Sequence, residues 1–279
     1  MTVVVLPFPS TILVCQLLSC AAFTATIGHF QLVEVDAWEL TKVKPFVVVA
    51  LTFCASLFCN MNILKHTNVD TFIVARSCTP ALVAICDYLF LDRELPTMQS
   101  WCAIAGIVLG AAGFVHYDEG SLNLSAWSWI ISYLVVFVFD QIFIKWVCDT
   151  VTMTAWGRVF YTNTLASVPV AILAFATEYQ QLSLVDWSSI SAVLTMSCVC
   201  GISLSYFGFV LRDAVSATSF TIVGVGCKLF TVMLNMLIWK KHADANGTMC
   251  LLVALFASVA YEQSPRRQAP NIDASASIS

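Results

Sequence analysis

The chain has 279 residues, 59% of them hydrophobic and 11% charged, with a formal net charge of −4. Soluble domains carry about 25% charged residues, so this composition excludes a water-borne globule. The thin charge forms no basic stripe or acidic run, which excludes nucleic acid as a partner.

A bilayer core about 30 Å thick needs about 20 apolar residues per helix, and the chain supplies about nine such runs separated by short polar joints. The first covers residues 10–30, and because no lysine or arginine precedes Lys42 it lacks the positive flank of a secretory signal. The second, 45–64, follows the charged joint from Glu34 to Lys44. The third, 69–91, contains Arg76, Pro80 and Asp87 and leads into Asp92-Arg93-Glu94. In the fourth, 100–117, Gly106, Gly110 and Gly113 have the small-xxx-small spacing that lets two helices touch, first for packing and second for a homodimer.

The fifth run, 127–146, carries Asp140; the sixth, 158–177, carries Arg158 and Pro169. Runs 187–210, 214–239 and 248–261 complete the series, and Lys228 sits mid-run in the eighth behind Gly224 and Gly226, which permit close backbone approach and local unwinding. Pro80 and Pro169 each remove a backbone hydrogen bond, so kinks are expected at both. Loops this short leave no room for a soluble domain, and the expectation is one transporter-like domain over 1–262 in halves of about 1–120 and 121–262.

Sorting cations by alternate loops puts Lys42, Lys44, Arg93, Lys145, Arg212, Arg266 and Arg267 at one end and Lys65, Lys240 and Lys241 at the other. The positive-inside rule then makes the first group cytosolic, together with a disordered tail over 263–279. The opposite joints hold Asp118, Glu119, Glu178 and Asp186, and two sequons at Asn123 and Asn246 too near the membrane to be used. An odd span count with a lumenal start implies that a first helix is missing from the sequence.

Twelve cysteines lie singly in apolar runs, as at Cys15, Cys54, Cys59, Cys86, Cys102 and Cys250, which reads as small buried side chains. Cys198 and Cys200 have no histidine or carboxylate nearby, so no metal and no cofactor is expected. Residues 68–96 and 214–241 overlay as polar start, cation-bearing middle, apolar tail and charged exit, with Arg76 and Lys228 in near-equivalent places. Such correspondence is what inverted-repeat transporters show, with the substrate near the midplane. A charge inside a span costs several kcal/mol, so Arg76, Asp87, Asp140, Arg158 and Lys228 either pair across helices or line a wet cavity.

Phe160-Tyr161-Thr162-Asn163, followed by Ser167-Val168-Pro169, resembles the Phe-Tyr-Asn-Asn motif of GDP-mannose transporters, with Thr162 in place of the first asparagine. Gly224-Val225-Gly226-Cys227-Lys228 resembles the Gly-Ala-Leu-Asn-Lys motif of the same family, keeping the first glycine and the lysine. Pro7-Phe8-Pro9 and Arg76 are similar to the second and fourth helices of nucleotide-sugar transporters in the drug/metabolite transporter superfamily. The resemblance implies an all-α membrane fold of about ten helices in two inverted halves, aligned here from the second helix onward.

It also implies a Golgi antiporter exchanging a cytosolic GDP-sugar, mannose or a close relative, for lumenal GMP. Tyr161 and Asn163 would contact base and ribose, while Lys228, with Gly224 and Arg76, would hold the phosphates. An aromatic face can stack on a base and an amide can read its edge. Cys227 cannot do what the family's asparagine does, which leaves UDP-sugars open as cargo. A phosphorylated-sugar exchanger and a non-transporting regulatory relative are the other readings. The four histidines, His29, His66, His116 and His242, are scattered at or near loops, and no paired-carboxylate or Ser/His/Asp order appears, so an enzyme is not expected.

Overall fold

The computed structural model describes residues 9–66, 72, 75–117, 127–182, 187–238 and 245–267. Pro7, Phe8, Asp118, Glu119, Asn123, Asp186, Lys240, Lys241 and the tail 268–279 lie outside the described residues. Nine helices are named among the rest: α1 (Pro9–His29), α2 (Leu40–His66), α3 (Thr79–Phe90), α4 (Met98–Tyr117), α5 (Trp127–Thr150), α6 (Ala155–Leu182), α7 (Trp187–Ala214), α8 (Ala217–Ile238) and α9 (Ala245–Ala260). No strand occurs among the described residues beyond one isolated antiparallel bridge, Arg93 to Arg266. Six of the helices are long and apolar enough to cross a membrane, and α4 and α9 contribute shorter apolar stretches. The protein is an all-α membrane protein.

The expected third span is divided at the place its proline requires. Ala75–Ser77 is helical, Cys78 forms a turn, and α3 restarts at Thr79 with Pro80 in its first turn, where no amide hydrogen is needed. Pro169, by contrast, lies inside α6, which runs through it as one helix. Nor does the chain unwind at Gly224 and Gly226, because α8 is continuous from Ala217 to Ile238. Of the two glycines only Gly226 permits a close approach: a Cβ there would come within 3.0 Å of Ser258 Oγ, while one at Gly224 would meet nothing within 4 Å.

The helices fall into two compact units. The first comprises Met1–Ala75 and Ser121–Val215, hence α1, α2, α5, α6 and α7; the second comprises Arg76–Gly120 and Ser216–Ser279, hence α3, α4, α8 and α9. Each unit draws on both halves of the sequence.

In the first unit a core of Cys20, Phe46, Val49, Ile144, Val147, Cys148, Val159, Tyr161 and Phe209 joins all five helices. Large apolar side chains on α7, among them Val193, Met196, Leu204 and Phe207, stay more than half exposed, a surface suited to lipid rather than water. In the second unit α4 packs along α9 through its glycines: a Cβ on Gly106 would strike Ala257, one on Gly110 the main chain of Cys250 and Ala254, and one on Gly113 the side chain of Cys250. The small-residue seam is thus filled from within the chain.

Of the stretch 263–279, only residues 263–267 are described. Residues 263–267 are docked: Arg93 Nη1 donates to the Ser264 carbonyl at 3.0 Å, the Glu94 amide to Pro265 at 3.1 Å and the Arg267 amide to Asp92 at 2.8 Å. These short polar residues are held by loop carbonyls and amides that have no helical partners.

Candidate functional site

Most charges inside the helices are spent on holding helix ends, and this separates structural from functional candidates. A helix begins with amide hydrogens that lack intrahelical partners, and a carboxylate can accept them. Glu178, near the end of α6, accepts from the Ser10 and Thr11 amides at 2.8 Å each and from Thr11 Oγ1 at 2.7 Å, closing the first turn of α1. Asp36, just past the end of α1, does the same for α6, accepting from the Thr154 amide at 2.8 Å and Thr154 Oγ1 at 2.9 Å. Thr154 in turn caps the Gly157 amide at 3.0 Å. The two helices therefore cap each other reciprocally, as an inverted pair does.

In the second unit Ser216 Oγ accepts from the Ser219 amide at 3.1 Å, and Asp87 accepts from the Thr218 amide at 2.8 Å and Thr218 Oγ1 at 2.5 Å. Asp87 is buried against the start of α8. Asp140 likewise accepts from Thr52 Oγ1 at 2.6 Å and from Gln141 Nε2 at 3.2 Å, while Gln141 Oε1 takes Arg212 Nη1 at 3.1 Å. Gln141 thus bridges Asp140 to Arg212, whose positive charge also acts on the carboxylate directly. Arg158 stands in the first turns of α6, bonded to Asp213 and to the Cys148 carbonyl at 2.9 Å. Lys145, also buried, reaches the Arg212 carbonyl at 2.6 Å and Asp149 at 3.1 Å. These contacts put Lys145 and Arg212 at one end of the first unit, and Arg93 with Arg266 and Arg267 at one end of the second, as the sorting of cations required within each unit.

Arg76 and Lys228 both belong to the second unit, close enough for the two positive charges to act on each other. Lys228 is midway along α8, with its side chain exposed rather than packed into the helix bundle, and Gly224 one turn earlier opens onto free space. Two cations placed together inside a helical membrane domain suit an anionic ligand better than a packing role.

Tyr161 and Asn163 lie on α6 in the first unit. Tyr161 is fully buried, its hydroxyl donating to the Ala37 carbonyl and accepting from the Glu39 amide at 2.9 Å. Its ring stacks on Trp38 at 4.8 Å and leans on Phe46. One face and the hydroxyl are thus occupied by the α1–α2 loop. Asn163 Nδ2 donates to the Val159 carbonyl at 2.8 Å and lies 3.4 Å from Ser205 Oγ. The structure brings Arg76, Gly224 and Lys228 into one unit, and Tyr161 and Asn163 into the other.

Besides Arg158 Nε, four buried side-chain atoms on α2 and α6 have no hydrogen-bond partner among the described residues: Ser56 Oγ, Asn60 Oδ1, Thr162 Oγ1 and Thr164 Oγ1. Such groups cost about 1–3 kcal/mol each unless water or a ligand completes them. Two of them flank Asn163, and one is the threonine that departs from the motif. The sequence signal for Ser56, Asn60 and Thr164 was small, because hydroxyl and amide groups in an apolar run are as often bonded to their own helix.

No family model matches the chain. It is 37% identical over 273 residues to a GDP-fucose transporter of Arabidopsis thaliana, spanning 94% of this chain and 80% of that protein. It is also 37% identical over 266 residues to a GDP-mannose transporter of Arabidopsis thaliana, spanning 92% of this chain and 71% of that protein. A second GDP-mannose transporter of the same plant is 21% identical over 249 residues. Identity of that depth over nearly the whole chain, carried on an all-helical membrane architecture, makes this protein a member of the nucleotide-sugar transporters of the drug/metabolite transporter superfamily, a carrier and not an enzyme.

Proposed function

We propose that the protein imports a GDP-sugar into the Golgi lumen in exchange for GMP by alternating access, with its C-terminus in the cytosol. The observation that carries this reading is the 37% identity, over more than nine-tenths of the chain, to two transporters named for GDP-fucose and GDP-mannose. In this reading Lys228 and Arg76 hold the diphosphate, and Gly224 leaves the space that the phosphates fill. Tyr161 and Asn163 read the guanosine, with Thr162 and Thr164 offering hydroxyls whose hydrogen bonds the protein leaves unfilled. The four atoms on α2 and α6 support a polar ligand there, since lipid offers them no hydrogen-bond partner and only water or a ligand can complete them.

The test is exchange in liposomes preloaded with GMP and offered GDP-mannose, GDP-fucose, UDP-sugars and CMP-sugars. GDP-sugars should be taken up in exchange for GMP, ahead of UDP-sugars; uptake of UDP-sugars with GDP-sugars ignored overturns the guanine reading. Lys228→Ala should lower exchange by a factor of ten or more, roughly the loss of one charge-assisted contact, while the protein stays in the membrane. Normal exchange by that variant removes Lys228 from the site. Asn163→Ala should weaken uptake more than Thr162→Ala and blunt the preference for guanine over uracil, because a site that reads a base by hydrogen bonds loses selectivity when one partner goes. A direct comparison of the two variants against GDP- and UDP-sugars decides it.

A further inference from the structure

We propose that Ser264 is a phosphorylation site for a cytosolic proline-directed protein kinase, and that the phosphate releases the strap of residues 261–267 from the second unit. The proposal rests on the cytosolic placement of the C-terminus given above. After α9 the chain turns back as an extended strap. Ser100 Oγ donates to the Glu262 carbonyl at 2.9 Å, and Ser219 Oγ to Gln263 Oε1 at 3.3 Å. Farther along, Arg267 donates from Nη2 to the Tyr88 carbonyl at 2.6 Å and from Nε to Arg93 at 3.1 Å, with its guanidinium 3.9 Å from the Tyr88 ring centroid. The strap thereby ties the end of α3 and the α3–α4 loop to the start of α8, the helix that carries Lys228.

Within it stands Ser264-Pro265-Arg266-Arg267. Ser264 is buried, whereas Pro265, Arg266 and Arg267 are exposed. A proline directly after the hydroxyl has no amide hydrogen to donate, so the sequence suits an enzyme whose pocket there is apolar and asks for none. The arginines that follow offer guanidinium groups to acidic side chains. In extended backbone such a segment can be taken into a kinase cleft after a local opening that leaves the helices in place.

The step is ordinary phosphoryl transfer. Ser264 Oγ attacks the γ-phosphorus of ATP, the bond from that phosphorus to the bridging oxygen breaks, ADP leaves, and the hydroxyl proton passes to the kinase's carboxylate base. The product carries a charge of about −2. The pocket that holds Ser264 cannot take it back, since Asp87 and Glu94 line it with Arg93 as the opposing cation, alongside Thr218, Ser216 and Tyr261. The Ser264 hydroxyl is closed in with no free space around it and faces the Asp87 and Glu94 carboxylates, so a phosphate there displaces the strap.

Two measurements test this on the full-length protein. Purified protein in detergent is incubated with ATP and a proline-directed kinase, then mapped by mass spectrometry. Phosphate on Ser264, and none on that segment of Ser264→Ala, is the expected result; an unmodified Ser264 overturns the site. The same incubation in sealed Golgi vesicles should label Ser264 from outside. Labelling in detergent only overturns the cytosolic placement and with it the regulation, while leaving the transport chemistry to the liposome test. Limited trypsin digestion then reports release: cleavage after Arg266 and Arg267 should speed up about tenfold on phosphorylation and in Ser264→Glu, and not in Ser264→Ala, as for a segment whose opening is the protected step. Equal cleavage of phosphorylated and unmodified protein overturns the release.

Discussion

Two antiparallel helix pairs, α1 with α6 in the first unit and α4 with α9 in the second, meet the same difficulty by different means. Lipid tails are as apolar as leucine, so no hydrophobic gain drives helices together in a bilayer. The α4–α9 pair relies on proximity along its length, three glycines admitting the backbone and small side chains of Cys250, Ala254 and Ala257. The α1–α6 pair relies on its ends, where Glu178 and Asp36 each satisfy the amide hydrogens that begin the other helix. A seam of close contact resists shear along its length, whereas two end caps fix the register of a pair whose contact between them is the apolar packing of Leu17 with Ala166 and Val170.

The seam is where a substitution should cost most. A Cβ on Gly110 would stand 2.7 Å from the Cys250 carbonyl oxygen and 2.9 Å from the Ala254 nitrogen, and main-chain atoms cannot rotate aside. Gly110→Val should therefore destabilise the protein by about 3 kcal/mol or more, enough to lower the detergent melting temperature and the yield of monodisperse protein sharply. A variant that melts with the wild type would show that α4 and α9 are not held by this contact.

These contrasts were unequally legible in the sequence. Hydropathy and length placed the helices, because every backbone group in lipid must bond within its own segment, and a span is a local property. The glycine spacing named one face of α4 but not the helix that fills it. The caps were not legible: Glu178 and Ser10 are 168 positions apart, and Asp36 and Thr154 118 apart. For Asp87 the sequence left cross-helix pairing and a wet cavity open, and did not show that the carboxylate accepts from the first amides of α8, where aligned peptide dipoles favour it. Lys228 stands out in the sequence because a mid-span cation has few structural uses, whereas the bonds of Tyr161 to Ala37 and Glu39 depend on how a loop folds back.

The end caps should cost less than the seam. Removing Glu178 strands the Ser10 and Thr11 amides and one hydroxyl, so Glu178→Ala should lower stability by about 2 kcal/mol, with Glu178→Gln retaining part of it through a neutral acceptor. Thermal unfolding of the three proteins in one detergent measures the series. If glutamine costs as much as alanine, the carboxylate's charge at the helix end is what matters, and the hydrogen bonds are secondary.

The smallest effect is also the sharpest, because its sign changes with context. Gly157 lies in the first turn of α6, and a Cβ there would fall 2.2 Å from Asp36 Oδ2, so alanine must push the carboxylate off its seat. Asp36 is a side chain and can swing toward Lys42, whose Nζ is 3.5 Å from Oδ1, which limits the cost of Gly157→Ala to about 1 kcal/mol, the worth of a typical cap. With Asp36 already replaced by alanine there is no carboxylate to displace. Alanine is then simply the better helix former, and Gly157→Ala should stabilise by up to about 1 kcal/mol. A double-mutant cycle on melting temperatures reads the coupling between the two positions directly. An equal cost in both backgrounds would mean that Gly157 serves some other contact, and the reciprocal cap at the start of α6 would no longer explain why a glycine stands there.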